Sequence, residues 1–157
     1  MDYALLTEQL MALAEEDKGY VPLLSNASAL LYQALPDLNW AGFYLVRRGM
    51  LVLGPFQGKV ACIHIARGKG VCGSAWQQNR TLRVEDVHCF PGHIACDGAS
   101  NAEIVVPLRD LQGTVLAVMD LDSPVLSRFT AEDERGLEAF ARALEQVIRW
   151  QEEEENA

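Results

Sequence analysis

The sequence predicts an α+β fold: an antiparallel sheet of about six strands with N- and C-terminal helices packed on it. Helical periodicity is confined to the two ends of the chain. The middle is a series of short aromatic and β-branched runs broken by Gly-, Pro- and Asp-rich turns, and some of these runs lie side by side as hairpin partners do. With 157 residues, 50% of them apolar, the chain can bury one sizeable core. We expect one domain over residues 1–151 and a solvated acidic tail over 152–157.

Tyr3, Leu6, Leu10 and Leu13 recur at helical spacing and give the first helix an apolar stripe. Asp17 to Gly19 punctuate it. Pro22 then suits the first turn of a second helix carrying Leu23, Leu24, Ala27, Leu30 and Leu31, which Pro36 ends. Trp40 to Val46 is a strand by composition, and Met50 to Phe56 is its hairpin partner, broken by Gly54, Pro55 and Gly58. Val60 to Ile65 is expected as a third strand with Cys62 in its middle. Arg67 to Ser74 is a glycine-rich turn that leads into a short helix, with Cys72 near its start. Thr81 to Val84 is a short extended piece. Ile104 to Leu108 and Thr114 to Asp122 form a second hairpin. In the last helix, Thr130 with Asp133 makes a capping-box pattern. Leu137, Phe140, Ala141, Leu144, Val147 and Ile148 form its stripe, which could cover the sheet or pair two copies as a homodimer.

Several function classes are disfavoured. The net charge of −9 argues against nucleic acid as a partner, because phosphate binding needs clustered Lys and Arg. No apolar run reaches the roughly 18 residues needed to cross a bilayer, and no basic segment precedes an apolar one at the N-terminus. We therefore expect a cytoplasmic protein without membrane contact. In that reducing compartment the cysteines read as buried thiols, metal ligands or redox groups rather than structural disulfides.

Chemistry concentrates in His88 to Glu103, HCFPGHIACDGASNAE, whose turn-forming residues predict a long loop. Cys96 is the candidate reactive atom there, with His93 three residues before it. Cys72, at a helix N-terminus, would have its thiolate favoured by the helix dipole. Cys62 alternates with Ala61 and Ile63 and reads most simply as a small core residue. Asp120 and Asp122, two apart in a strand, aim at one face, so mutual repulsion should raise one of their pKa values and leave one able to donate a proton. Glu103 offers a third acid. A rival use is zinc held by Cys89, His93 and Cys96 with Cys62 or Cys72, but the spacing matches no paired C-x-x-C knuckle, and we expect no metal.

The runs NWAGFYL (Asn39 to Leu45), GPFQGKVACIHI (Gly54 to Ile65), GKGVCG (Gly68 to Gly73), VEDVHCFPGHIACDGASNAEIVVPL (Val84 to Leu108) and MDLDSP (Met119 to Pro124) resemble the free methionine-R-sulfoxide reductases, a family of small GAF-domain enzymes. The resemblance is collinear over nearly the whole chain. It implies a GAF-type catalytic domain that reduces free L-methionine (R)-sulfoxide, with thioredoxin as electron donor and no bound cofactor. It also implies that Cys96 is the nucleophile, Cys62 the partner in its disulfide and Cys72 an auxiliary or alternative thiol. Glu103, Asp120 and Asp122 fall on the family's acidic substrate-binding positions, and Trp40 and Tyr44 on its pocket aromatics. Cys89 departs from the pattern. The alternative reading is a non-catalytic GAF sensor that retains a small molecule without turnover.

Overall fold

A computed structural model describes residues 1–93, 96 and 98–151; the expected acidic tail lies outside the described residues. The elements run α1 (Tyr3–Glu16), α2 (Tyr20–Ala34), β1 (Trp40–Arg47), β2 (Met50–Gly58), β3 (His64–Ile65), α3 (Gly70–Gln78), β4 (Leu82–Val84), β5 (Ala102–Arg109), β6 (Val115–Ser123) and α4 (Ala131–Val147). The strands form one six-stranded sheet in the order β3-β2-β1-β6-β5-β4, with every neighbouring pair antiparallel. This is the α+β architecture that the sequence predicts.

Strand alternation sorts the side chains of the central strands onto two buried faces. Ala41, Phe43 and Leu45 of β1 join Ile104, Val106, Met119 and Leu121 in a core with α1, α2 and α4. Trp40, Tyr44, Val105 and Val118 point the other way and pack with Val71, Cys72, Ala75 and Trp76 of α3. Burial on both faces explains why the sequence of β1 and β5 reads as a nearly continuous apolar run.

The α4 stripe is turned inward. Leu137, Phe140, Ala141, Leu144 and Ile148 belong to the helix-side core, so the stripe itself is used within the chain. Both halves of the capping box form: Thr130 Oγ1 accepts from the Asp133 amide, and Asp133 accepts from the Thr130 amide. Asp133 also accepts from the Tyr3 hydroxyl at 2.7 Å, which ties α1 to the start of α4. The Tyr3 ring lies where a side chain on Gly136 would have to go, which explains a glycine inside this helix.

One expectation about the second strand and one about the third are corrected. Gly54 and Pro55 do not break β2, which continues to Gly58. The register slips by one residue between Gly42–Tyr44 and Leu53–Phe56, and this bulge absorbs them. β3 pairs with β2 only at Leu51 and Val52, so β2 is an edge at Pro55 and the missing N–H breaks no outer ladder bond. The expected strand Val60 to Ile65 is reduced to His64–Ile65. Gly58 turns the chain off the sheet with φ of +134° against the Trp40 ring, and residues 59–63 form a loop. Cys62 therefore lies in that loop, half-buried, and is not a core strand residue.

Candidate active site

The site is built on the sheet face that carries α3. Cross-strand register places Trp40 opposite Asp122, and Asp122 opposite Glu103, so these three side chains form a row across β1, β6 and β5. Asp120 and Tyr44 lie on the same face, two and four residues along their strands. All five line one cavity, and Cys72 and Cys96 also border it. The structure thus brings together the acids, aromatics and two of the cysteines named from the sequence.

The third cysteine reaches the site through a covalent bond. Cys62 and Cys96 form a disulfide, with their Cα atoms 5.6 Å apart and 34 residues between them in sequence. The loop bearing Cys62 is held down by the pocket's own aromatics. Tyr44 donates its hydroxyl to the Cys62 carbonyl at 2.9 Å, and the Trp40 indole donates to the Lys59 carbonyl at 3.2 Å. Trp40 in turn stacks on Phe56 and Tyr44, with ring centroids 5.1 Å and 5.8 Å away.

Burial governs the charge state of the acids. Desolvation first, and the neighbouring Asp122 charge second, push the Asp120 carboxyl up to about 8. Glu103 is raised well above the usual carboxylate range, again by burial first and by Asp120 second. The expectation that crowded carboxylates retain a proton near neutral pH therefore agrees in direction. One buried oxygen, Asp120 Oδ1, has no hydrogen-bond partner among the described residues, so the cavity floor offers an unfilled polar atom.

Cys72 differs from expectation. Although it lies in the first turn of α3, its thiol is pushed up, by burial first and then by Asp120, Glu103 and Asp122. Desolvation and three carboxyls outweigh one short helix's dipole. Its Sγ donates to Glu103 Oε2 at 3.8 Å. The zinc set is not assembled either: Cys96 is in the disulfide, and exposed Cys89 donates to Asp86 at 3.7 Å. Among the described residues, Cys72, Glu103 and Asp120 are the group whose potential ligand atoms lie within 4.8 Å of one another.

Lys69 and Ser100 also line the cavity, and the sequence reading missed both. Ser100 is buried and accepts from Asn39 Nδ2 at 3.0 Å. Nothing in its local sequence signals this, since the contact joins segments 61 residues apart. His93 borders the same space, its pKa lowered by burial first and by His88 second.

The GAF domain family profile matches residues 6–148. The chain is 52% identical to the free methionine-R-sulfoxide reductase of Escherichia coli over 93% of its own length and 88% of the relative's. It is 43% identical to the enzyme of the same name from Saccharomyces cerevisiae, over 88% and 83% of the two chains. The structure of free methionine-R-sulfoxide reductase from Neisseria meningitidis in complex with its substrate superposes with a TM-score of 0.88 at 40% identity, covering 93% of this chain and 87% of that one. On the strength of these matches, the chain belongs to the GAF domain family and, within it, to the free methionine-R-sulfoxide reductases.

Proposed function

We propose that the protein reduces free L-methionine (R)-sulfoxide to L-methionine, with Cys96 as nucleophile and Cys62 as the thiol that resolves it. The observation that carries this reading is the Cys62–Cys96 disulfide beside a cavity floored by Glu103, Asp120 and Asp122. Protonation of the sulfoxide oxygen makes the sulfur electrophilic, and a carboxylic acid kept neutral by burial is suited to supply that proton. Oxygen transfer from the sulfoxide to the Cys96 thiolate, with that proton, leaves methionine and a Cys96 sulfenic acid. The Cys62 thiol then attacks the sulfenic sulfur and releases water, which closes the observed disulfide. An external dithiol restores both thiols by exchange and is itself oxidised to a disulfide.

The remaining groups hold the substrate. An ionised member of the acid row binds the α-ammonium, and Trp40 packs on the S-methyl group, with Tyr44 bracing the loop. A methionine sulfoxide residue within a peptide lacks that ammonium, which explains selectivity for the free amino acid. Cys72, buried and kept protonated, supports the acid row through its bond to Glu103 and is poorly placed to resolve the sulfenic acid. We assign the electron donor to thioredoxin and the location to the cytoplasm, where such a dithiol cycle is sustained.

The test is turnover of racemic free methionine sulfoxide with a thioredoxin recycling system, following NADPH loss and the surviving epimer. Cys96→Ser is expected to abolish reduction even with dithiothreitol. Cys62→Ser is expected to lose thioredoxin-supported turnover chiefly. Full activity in Cys96→Ser, or ligand retention without turnover in the wild type, overturns the reading.

A further inference from the structure

Three acidic side chains from three elements meet at the cavity floor. Cys72 comes from the first turn of α3, Glu103 from β5 and Asp120 from β6, and they are only 4%, 7% and 5% exposed. One ligand-capable atom of each lies within 4.8 Å of the others. Cys72 Sγ and Glu103 Oε2 are 3.8 Å apart. A tetrahedral zinc ion with sulfur at about 2.3 Å and oxygen at about 2.0 Å would hold that pair about 3.5 Å apart, so little movement is needed.

A second observation is independent of that spacing. Asp120 Oδ1 is buried and has no hydrogen-bond partner among the described residues, and a native oxygen so placed has a water or an ion beside it. Water would satisfy this oxygen but would leave three acids crowded together. Burial first, and neighbouring carboxylates second, disfavour the anion of each. A dication between them reverses the second cause. All three residues line the cavity, so an ion has a way in and a fourth position open to water. The donor set selects the ion: Mg²⁺ and Ca²⁺ take oxygen shells, whereas a thiolate beside two carboxylates suits a borderline-soft dication.

We propose that Cys72, Glu103 and Asp120 form a binding site for a zinc-class dication, with water as the fourth ligand. The Cys72 thiol proton and the carboxyl protons leave to solvent as the ion enters. This departs from the sequence expectation of no metal, and of the cysteines and histidine that spacing suggested as ligands it keeps only Cys72. Neither disulfide cysteine is a ligand, so the site persists when Cys62 and Cys96 are bonded. It overlaps the acid row of the proposed cycle, yet binding requires no turnover and stands or falls without it.

Co²⁺ is the probe, because its bond to a thiolate gives an ultraviolet charge-transfer band. The chain has 4 cysteines, so oxidised Cys89→Ser protein, with the Cys62–Cys96 disulfide intact, leaves Cys72 as its free thiol. This protein is titrated with Co²⁺ without any dithiol, and Zn²⁺ is then added. We expect a saturable charge-transfer band that Zn²⁺ abolishes and that is absent when Cys72→Ser is added. In the same background, Glu103→Gln and Asp120→Asn, each checked for folding by circular dichroism, should raise the Kd for Co²⁺ by about tenfold or more. No band in Cys89→Ser, a band that survives Cys72→Ser or excess Zn²⁺, or an unchanged Kd in both carboxamide variants overturns the proposal. If Cys72→Ser does not fold, the two carboxamide variants decide.

Discussion

Asp122 stands between Trp40 on β1 and Glu103 on β5, so its carboxylate is central to the row that lines the cavity. Asp122→Asn keeps the shape and removes the charge that would hold an ammonium. We predict that it lowers kcat/KM for free methionine sulfoxide by more than about tenfold, roughly 1.4 kcal/mol of transition-state binding. Unchanged kcat/KM in steady-state assays excludes that role. Asp120 makes a different prediction. Its folded-state pKa is raised to about 8, whereas an Asp in the unfolded chain titrates near about 3.9. Between these values the native protein holds a proton that the unfolded chain has released, so stability falls as pH rises. The contribution is fully present below about 3.9 and is lost as pH climbs through about 8. Thermal melts of wild type and Asp120→Asn from about pH 5 to about pH 8 should show the steeper decline in wild type, because the amide has no such proton to lose. Parallel slopes count against a raised Asp120 pKa.

At the scale of elements, α1 and α4 meet through Tyr3, whose ring occupies the space beside Gly136 and whose hydroxyl reaches Asp133. Gly136→Leu improves helix propensity but forces the ring away. Overpacking should therefore win, with a loss of about 1–3 kcal/mol in urea unfolding. A stabilised variant would show that Tyr3 can move without cost. Thr130→Ala removes one half of the capping box and should cost about 1 kcal/mol, read by the same unfolding curves. The start of α4 and its apolar stripe were legible in the sequence because capping and 3.6-residue periodicity are local signals. The β2–β3 region was not. Gly54 and Pro55 carry the local signature of a strand end, yet a bulge and an unpaired outer edge accommodate them.

For the whole molecule, the Cys62–Cys96 bond joins a loop beside β3 to the long segment before β5, closing a separation of 34 residues. Loop-closure entropy sets its stabilising effect at about 4 kcal/mol by the chain-entropy relation. The oxidised protein should thus unfold at clearly higher urea concentration than Cys62→Ser. Coincident midpoints would mean that the bond merely follows a constraint already made by the pocket aromatics. No described helix is long and apolar enough to cross a membrane, and the catalytic proposal needs none.

The amino-acid sequence alone determined the α+β class, the two hairpins, the breaks that end the first two helices, the start of the last and the membership of Asp120 and Asp122 in one face, because each follows from spacing along the chain. Residue types also singled out the cysteines and Glu103, and the resemblance named Trp40 and Tyr44. Only the tertiary structure decided that Cys62 leaves the sheet, that Cys72 is a buried thiol held protonated, and that Ser100 and Lys69 border the cavity. Those outcomes depend on desolvation and on contacts between residues far apart in the chain, such as Tyr44 with Cys62 and Asn39 with Ser100. Neither quantity is written in any local stretch.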